Sequence, residues 1–486
     1  MIDLTVARIA EIVGGRLSGI TREQAEATHV TGTVEFDSRA IGPGSLFLAL
    51  PGARSDGHDF AAAAVAAGAV AVLAARPVGV PAIVVPPAAA ADAHAGVLEH
   101  DADGSGAAVL AALGRLASAV AAHLTAQGLR IIGITGSSGK TSTKDLIAAV
   151  LRPLGDVIAP PGSFNNELGH PWTVLRATPE TDFLVLEMSA RHPGNIAALA
   201  AIATPSIAVV LNVGTAHLGE FGSREIIAQT KGELVEALPP SGVAILNADD
   251  QAVAAMASRT TARVVTVGRS PAADIRAEDV VLDELARPRF TLIAPAGSVE
   301  VAMSVHGEHQ VGNALSAVAV ALECGADPAQ VAAALSAAGP ASRHRMEVRT
   351  RPDGVTVIND AYNANPDSMR AGLQALAAMV GRRADGTAGG RSWAVLGEMG
   401  ELGEDAITEH EAIGQLAVRL DISRLVVVGT GRSMSAMRQG AVMQGAPESA
   451  VTMVADADAA LELLDAALAP GDVVLVKASN AAGLSA

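Results

Sequence analysis

The stretch LRIIGITGSSGKTSTKDLIAAVL, residues 129–151, decides the fold of this chain. It passes from a β-branched apolar run through a Gly/Ser-rich turn into a helical pattern. Glycines at Gly133, Gly136 and Gly139 let the backbone approach phosphate oxygens, and Lys140 can reach the β- and γ-phosphates of a nucleotide. The positive N-terminal end of the helix that follows faces the same anion. The stretch therefore predicts a phosphate-binding loop between a strand and a helix.

The loop is a variant of the general pattern. The strict spacing places a glycine six residues before the lysine, and here that residue is Ile134. A Gly/Ser turn with an incidental lysine is the alternative interpretation. Lysine is scarce in this chain, because 34 basic residues include four lysines, at Lys140, Lys144, Lys231 and Lys477. Since arginine is the usual cation here, the lysine positions are candidates for roles that need a primary amine.

Composition limits the class of protein. The 486 residues predict two to four domains. A formal net charge of −17 disfavours nucleic acid as a partner, although backbone N–H groups can still bind a small anion. The single cysteine excludes a disulfide within the chain, which is typical of a reducing compartment.

Neither a targeting segment nor a membrane span is expected. The N-terminal sequence MIDLTVARIAEIVGG lacks the pattern of a secretory signal. The longest apolar run, residues 61–75, is shorter than the ~20 residues that span a bilayer. We therefore expect a cytoplasmic protein that is not integral to a membrane.

Three segments follow one another along the chain. Residues 1–126 carry short strand-like pieces and Ala-rich helical stretches. Residues 127–338 alternate apolar strands, such as DFLVLEMS, PSIAVVLNVG and GVAILNAD, with helical patterns. Residues 339–486 repeat the alternation as a second doubly wound unit, with a surface loop expected at residues 381–390. The alternation predicts an α/β fold with parallel sheets covered on both faces.

Polar residues after the strands of the second segment are candidates for a metal site. Glu187 ends one strand and His217 lies in the loop after the next, and ligands in open α/β sheets bind at these strand ends. A helix-capping carboxylate and a surface histidine are the alternative interpretations. Lys231 lies in a helical pattern downstream, where the alternative is an exposed lysine that pairs with Glu233 or Glu236.

Several motifs in order resemble those of the Mur ligase family. GITGSSGKTSTKD resembles its ATP loop, and SFNNELGHPWTVL, EMSARHPGNI and VLNVGTAHLGEFGSREIIAQTKGEL resemble further motifs of its central domain. INDAYNANPDSMRAGLQAL and WAVLGEMGELGEDAITEHEAIG are similar to the member that adds D-alanyl-D-alanine. FDSRAIGPGSLFLALPGARSDGHDF is similar to the UDP-binding segment of that member. The shared order covers almost the whole chain.

The resemblance implies three domains and one reaction. The domains are a UDP-substrate α/β domain at 1–126, a central P-loop ATPase-like parallel-sheet domain at 127–338 and a C-terminal Rossmann-like domain at 339–486. The implied partners are UDP-N-acetylmuramoyl tripeptide and D-alanyl-D-alanine, and the expected state is a monomer. A substrate carboxylate attacks the γ-phosphate of ATP, and the amine of D-alanyl-D-alanine then attacks the acyl phosphate.

The resemblance also implies site residues. The catalytic residues are Lys140, Lys231 and His217. The nucleotide-binding residues are Gly133, Gly136, Ser137, Ser138, Gly139, Lys140, Thr141, Ser142, Asn313, Arg345 and Asp360. The substrate-binding residues are Ser38, Arg39, Asn165, Asn166, Arg191, Asn363 and Asn365. Mg²⁺, expected at two sites, is held by Thr141, Glu187, His217 and Lys231. Lys231 matches a lysine that CO₂ carbamylates in this family, which an arginine could not replace because it stays protonated.

Other classes of protein fit the sequence less well. A relative that adds lysine or diaminopimelate carries an Asp-Asn-Pro-Arg motif, which is missing here, and folylpolyglutamate synthase lacks the UDP-type first domain. A non-catalytic P-loop module predicts a damaged metal site. An NTPase acting on nucleic acid predicts basic or aromatic-interleaved patches. The chain departs from the family after Lys477, where Ala478, Ser479 and Asn480 replace the usual Gly-Ser-Arg.

Overall fold

The computed structural model describes residues 2–52, 55–87, 101, 103–214, 218–380 and 390–484. The chain folds into two compact units. Unit one comprises Met1–Gly133, Gly155–Ser189 and Ile196–Ser206. Unit two comprises Ile134–Leu154, Ala190–Asn195 and Ile207–Ala486.

The strands of the described residues follow in chain order. They are β1 (Leu4–Thr5), β2 (Arg16–Ser18), β3 (His29–Val30), β4 (Val34–Glu35), β5 (Ser45–Leu48), β6 (Ala69–Ala74), β7 (Ala82–Val84), β8 (Arg130–Thr135), β9 (Val157–Ile158), β10 (Phe183–Glu187), β11 (Ile207–Val210), β12 (Val243–Asn247), β13 (Arg263–Gly268), β14 (Ile275–Leu282), β15 (Pro288–Ala294), β16 (Gly297–Ala302), β17 (Glu347–Thr350), β18 (Thr356–Asn359), β19 (Ser392–Leu396), β20 (Arg424–Val428), β21 (Val451–Val454) and β22 (Val473–Lys477).

The α-helices are α1 (Val6–Val13), α2 (Arg22–Ala27), α3 (Ala61–Ala66), α4 (Ser105–Thr125), α5 (Lys140–Leu151), α6 (Gly169–Val174), α7 (Asn195–Ile202), α8 (Leu218–Phe221), α9 (Arg224–Glu236), α10 (Gln251–Ala254), α11 (Gln310–Glu323), α12 (Pro328–Ala337), α13 (Pro366–Val380), α14 (Ala406–Arg419), α15 (Arg432–Met443) and α16 (Ala457–Ala467). Short 3-10 helices lie at Ser38–Ala40, Gly57–Phe60, Ala255–Arg259, Gly403–Asp405, Glu448–Ala450 and Asn480–Ala482.

Unit one contains a five-stranded sheet in the order β2-β7-β6-β5-β4. Its pairs are parallel except for β2 with β7. Strand β9 pairs parallel to β10 in the same unit. An aromatic cluster joins two distant parts of the chain here: the Trp172 ring centroid lies 5.8 Å from that of Phe36 and 4.8 Å from that of Phe164. The Trp172 Nε1–H donates to the Val34 carbonyl over 2.8 Å, so segment 34–36 is fixed against α6.

The described part of the chain has one helix, α4, that is long and apolar enough to cross a membrane by length and composition. In this structure 61% of its apolar window is buried, and the helix packs on α1 and α6. The apolar run that the sequence drew attention to, residues 61–75, divides into α3 and β6.

The strands of unit two that follow the phosphate-binding loop have the order β16-β15-β14-β13-β12-β11, and β11 adjoins the end of β8 at Thr135, just before the loop. The pairs from β11 to β14 are parallel, as the strand–helix alternation predicts. Strands β14, β15 and β16 then pair antiparallel, an extension of the sheet that was not predicted from the sequence. Helix α11 packs on α5, the helix that follows the loop.

A second sheet of unit two has the order β17-β18-β22-β19-β20-β21, parallel except for β17 with β18. One buried cluster covers one face with apolar residues of α13, α14 and α15, and another covers the opposite face with residues of α16. This is the doubly wound unit that the third segment predicts, and the α/β fold class is confirmed. The predicted surface loop at 381–390 lies, apart from Gly390, outside the described residues.

Candidate functional site

The predicted phosphate-binding loop lies between β8 and α5, and Asn212 holds its shape. The Asn212 Oδ1 accepts the Ser138 N–H over 2.9 Å, and its Nδ2 donates to the Ser138 carbonyl over 3.2 Å. The Ser137 N–H donates to the Asn212 carbonyl, and the Gly214 N–H donates to the Ser137 Oγ. Asn212 was not predicted from the sequence, although an asparagine directly after an apolar strand is a usable signal.

The lysine of this loop folds back over it. The Lys140 Nζ donates to the Gly136 carbonyl over 2.7 Å, and the side chain is half-buried. Gly139 has a φ of +81°, which favours glycine, and α5 begins at the next residue. The ammonium group, the backbone N–H groups and the helix N-terminus are therefore collected at one turn, which is the arrangement that binds a polyphosphate.

Lys231 is buried on α9, with 3% of its surface exposed. Burial, with the nearby positive charge of Lys140, lowers the pKa of Lys231 well below its usual value. The alternative of an exposed lysine paired with a helix glutamate is wrong. Glu236 pairs with Arg259 over 2.8 Å, and Glu233 accepts the Gly194 N–H.

The four lysines share one property, which is that none is fully exposed. Lys144 and Lys477 are each 1% exposed, Lys231 is 3% exposed, and Lys140 is half-buried. Lys144 Nζ lies 2.8 Å from the Asp145 carboxylate. Arginine therefore supplies the exposed side-chain cations of the described residues.

Two residues from distant segments of unit two reach the loop. Asn313, on α11, is buried, donates from Nδ2 to the Gln310 Oε1 over 2.9 Å and lies against Gly139. Arg345 lies 3.4 Å by its Nη2 from the Thr141 Oγ1, and Thr141 is buried at the start of α5. The structure thus brings together the residues that the resemblance assigned to the nucleotide from three separate motifs.

The segment DAYNANP, at residues 360–366, also lies close to the loop. Asp360 is buried and forms an ion pair with Lys477 over 2.5 Å. The Asn365 Nδ2 donates to the Ser137 carbonyl over 3.4 Å, and its Oδ1 accepts the Ser368 N–H at the start of α13. Asn363 uses its Oδ1 to accept the Ala364 N–H and its carbonyl to accept from Lys477.

In unit one, Glu187 ends β10 as a carboxylate that is 1% exposed. The Ser163 Oγ donates to its Oε1 over 2.9 Å, and the Asn165 Nδ2 donates to the same oxygen over 2.7 Å. Asn165 thus contacts this carboxylate, a partner that the sequence analysis did not name. Neighbouring Asn166 accepts the Gly169 N–H at the start of α6.

The donors suit Mg²⁺ by their chemistry. Thr141 offers a hydroxyl and Glu187 a carboxylate, both buried, and Mg²⁺ prefers oxygen ligands of this kind. In the described part of the chain, no group of three or more His, Cys, Asp or Glu side chains is placed to hold a metal ion. The predicted ligand His217 lies outside the described residues.

The remaining predicted substrate residues lie at separate places in the two units. In unit one, Ser38 begins the 3-10 helix Ser38–Ala40, and exposed Arg39 pairs with Asp37 over 2.8 Å. In unit two, the Arg191 Nη2 lies 2.8 Å from the Glu401 Oε1, which joins a loop before α7 to the loop after β19. Glu401 has a φ of +61°.

Three family models match this chain. The Mur ligase middle domain matches residues 134–321, the Mur ligase glutamate ligase domain matches 344–480, and the catalytic domain of the Mur ligase family matches 31–121. The chain belongs to the Mur ligase family. This Mur ligase is therefore an ATP-dependent ligase, and the family resemblance that the sequence carried is confirmed.

Relatives cover the chain from end to end. It is 72% identical to the UDP-N-acetylmuramoyl-tripeptide--D-alanyl-D-alanine ligase of Mycobacterium tuberculosis, over 100% of this chain and 97% of that protein. It is 34% identical to the enzyme of that name from Escherichia coli, over 88% of this chain and 86% of that protein.

Solved structures share the architecture of this Mur ligase. A crystal structure of MurF from Acinetobacter baumannii has a TM-score of 0.80 at 29% identity and covers 99% of each chain. MurF from Thermotoga maritima, in complex with ADP, has a TM-score of 0.73 at 27% identity and covers 94% of this chain and 96% of that one.

Proposed function

We propose that this Mur ligase joins D-alanyl-D-alanine to UDP-N-acetylmuramoyl tripeptide with ATP, in the synthesis of peptidoglycan precursors. The observation that carries the proposal is the 72% identity to a ligase of that name over the full chain. The position of DAYNANP supports it, because this segment belongs to the motif that resembles the D-alanyl-D-alanine-adding member and its Asn365 contacts the phosphate-binding loop.

The reaction has two steps, transfer of a phosphoryl group to the substrate and formation of the amide bond. A carboxylate oxygen of the tripeptide forms a bond to the γ-phosphorus, the bond from phosphorus to the ADP oxygen breaks, and ADP leaves. The amine nitrogen of D-alanyl-D-alanine then bonds to the acyl carbon, phosphate leaves and the amine gives up a proton.

The first step brings two anions together, so neutralisation of charge is its main requirement. Lys140 and the backbone N–H groups of its loop are assigned to the β- and γ-phosphates. Asn313, Arg345 and Asp360, which come from other segments of unit two, are also assigned to the nucleotide. The resemblance assigns Thr141, Glu187 and His217 to Mg²⁺. The metal would supply positive charge against the phosphate oxygens.

Lys231 is the residue we assign to a CO₂-derived carbamate, which would offer oxygen ligands to a second Mg²⁺. Burial supports this, because an uncharged amine reacts with CO₂ and the low pKa favours that form. Lys231→Ala should lose most activity, short carboxylic acids should restore part of it, and added bicarbonate should stimulate the wild type. Lys231→Arg is the matched control and should stay inactive. Full activity of Lys231→Ala, or indifference to both additives, would remove the carbamate role.

The substrate residues are assigned by motif. Ser38 and Arg39 would contact the UDP part, Asn165, Asn166 and Arg191 the muramoyl peptide, and Asn363 and Asn365 the nucleotide and dipeptide. The domain limits 1–126, 127–338 and 339–486, the monomeric state and the cytoplasmic location stay predictions.

Phosphate release measured with ATP and UDP-N-acetylmuramoyl tripeptide tests the function. Release should need D-alanyl-D-alanine, and D-alanine, L-lysine or diaminopimelate alone should not replace it. Lys140→Ala should abolish phosphate release. Lys140→Arg tests whether a positive charge at this position is enough to support it. A wild type that releases phosphate with single amino acids but not with the dipeptide would overturn the assignment.

A further inference from the structure

Arg345 lies between two residues with unusual backbone conformation. His344 has a φ of +56° and Met346 a φ of +49°, in the left-handed region that L side chains rarely adopt. Such a conformation persists when its surroundings hold it. The direction of the Arg345 side chain is therefore set by whatever holds these two neighbours.

The segment 359–362 holds both of them. The Asn359 Nδ2 lies 3.0 Å from the His344 Nδ1, and the Tyr362 N–H donates to the His344 carbonyl over 3.2 Å. The Asp360 Oδ1 accepts the Met346 N–H over 3.0 Å. Three side-chain and backbone contacts from one short segment thus fix the residues on either side of Arg345.

The Arg345 side chain itself lies on Tyr362, the single tyrosine of the chain. The guanidinium Cζ is 4.2 Å from the centre of the Tyr362 ring, within the range of a cation–π contact. From that support its Nη2 reaches to 3.4 Å from the Thr141 Oγ1. The ring therefore limits the positions that the guanidinium can take in front of the loop.

Lys477 also contacts this part of the chain, at Asp360 and at Asn363. Its Nζ donates to the Asp360 Oδ2 over 2.5 Å and to the Asn363 carbonyl over 3.0 Å, and the lysine is buried. Burial lowers the pKa of Lys477, and the Asp360 charge acts in the opposite direction. Because an isolated buried ammonium is costly, this ion pair keeps Asp360 in the position from which it binds the Met346 N–H.

We propose that Tyr362 and Lys477 are positioning residues that hold Arg345 toward Thr141 of the phosphate-binding loop. Tyr362 contacts the side chain of Arg345. Lys477 acts through Asp360 on the backbone of the next residue, Met346. The inference rests on the proposed contact between Arg345 and the nucleotide. The segment DAYNANP, residues 360–366, contains Asp360 and Tyr362 as well as Asn363 and Asn365. The motif assigned to dipeptide recognition therefore also sets the position of the arginine assigned to ATP.

A double-mutant cycle tests the role of Tyr362. Tyr362→Leu should lower kcat/KM for ATP about tenfold, and Tyr362→Phe, which keeps the ring face, should stay within about twofold of the wild type. In an Arg345→Ala background Tyr362→Leu should cost little more, because the residue on which it acts is gone. Full loss in both backgrounds would overturn the proposal, as would an Arg345→Ala variant with wild-type kinetics.

Lys477→Met extends the test, with thermal unfolding to show that the variant is folded. It should reduce kcat/KM for ATP in the wild-type background but not in Arg345→Ala. If Lys477→Met does not fold, the Tyr362 cycle decides alone. The wild type in the same assay must ligate D-alanyl-D-alanine. Its failure would overturn the proposed function, whereas an active wild type with additive variants would overturn the positioning roles only.

Discussion

Asn313 occupies the space directly in front of Gly139. A Cβ on residue 139 would lie 2.7 Å from the Asn313 Oδ1, closer than real Cβ contacts, and the φ of Gly139 is +81°. The turn at the start of α5 therefore depends on a residue without a side chain, and on Asn313 staying where it is.

Gly139→Ala should consequently weaken ATP binding by about tenfold or more, since either the loop or Asn313 must move. Gly128→Ala is the matched control, because Gly128 also has a positive φ, +113°, but has no atom within 4 Å of the added Cβ. The control should lose about 1–2 kcal/mol of stability and keep its ATP affinity. Titration calorimetry with ADP–Mg²⁺ measures the nucleotide affinity of the two variants. Equal affinities in the two variants would contradict the prediction.

Asn165 should affect the response to Mg²⁺ through Glu187. Its Nδ2 donates to the Glu187 Oε1 over 2.7 Å, and groups that orient a metal ligand typically change metal affinity about tenfold when removed. Asn165→Ala should therefore raise the Mg²⁺ concentration for half-maximal activity by about that factor. Asn166→Ala is the neighbouring control, since Asn166 caps α6 instead. An unchanged Mg²⁺ dependence in Asn165→Ala would count against the role of Glu187.

His410 should make the loop after β19 sensitive to acid. Its Nε2 accepts the Met399 N–H over 2.9 Å while its Nδ1 donates to the Ala406 carbonyl over 2.6 Å, so the buried ring is neutral. Burial lowers the pKa of His410, with the Ala406 bond and the Glu398 charge acting against it. Its contribution to stability is thus fully present above the ordinary pKa near 6.5 and is lost as pH falls through the lowered pKa.

The free energy of unfolding between pH 7 and pH 5 measures this effect. His410→Gln keeps a neutral donor and acceptor without titrating, so its stability should fall less steeply than that of the wild type. Parallel curves for the two proteins would show that His410 does not carry the acid sensitivity.

Trp172 should be a major source of stability in unit one. It packs against Phe36 and Phe164 and donates to the Val34 carbonyl over 2.8 Å. Trp172→Ala should cost about 3–5 kcal/mol, and Trp172→Phe, which keeps most of the packing, about 1–2 kcal/mol for the lost hydrogen bond. Urea unfolding followed by circular dichroism compares the two. A loss below about 1 kcal/mol in Trp172→Ala would argue that the cluster repacks.

Local pattern was enough to locate most elements of the fold. The apolar runs DFLVLEMS and GDVVLVKAS became Phe183–Glu187 and Val473–Lys477, because a strand buried on both faces has to be continuously apolar. Strand order was not predictable, since an apolar run does not specify its neighbours, and β22 inserts between β18 and β19. Strands β14, β15 and β16 were missed because charged residues, such as Glu278, Arg289 and Glu300, interrupt the apolar pattern of each strand.

The site divides in the same way. The loop around Lys140 was predictable because its residues are adjacent in sequence. The contacts of Asn212 with Ser138 and of Arg191 with Glu401 join residues 74 and 210 positions apart, and tertiary folding alone creates them. The burial of Lys231 shows the limit most clearly. The scarcity of lysine in the sequence singled out Lys231, but helical periodicity could not decide whether its side chain faced solvent.

The burial of the four lysines has a practical consequence for chemical labelling. Amine-reactive reagents usually modify a protein at many exposed ε-amino groups, and the described surface of this enzyme presents no fully exposed lysine. Half-buried Lys140 is the most accessible of the four. A mild acylating reagent should thus modify Lys140 before the other three lysines. Protection of Lys140 by ADP would then report occupancy of the nucleotide loop without a mutation.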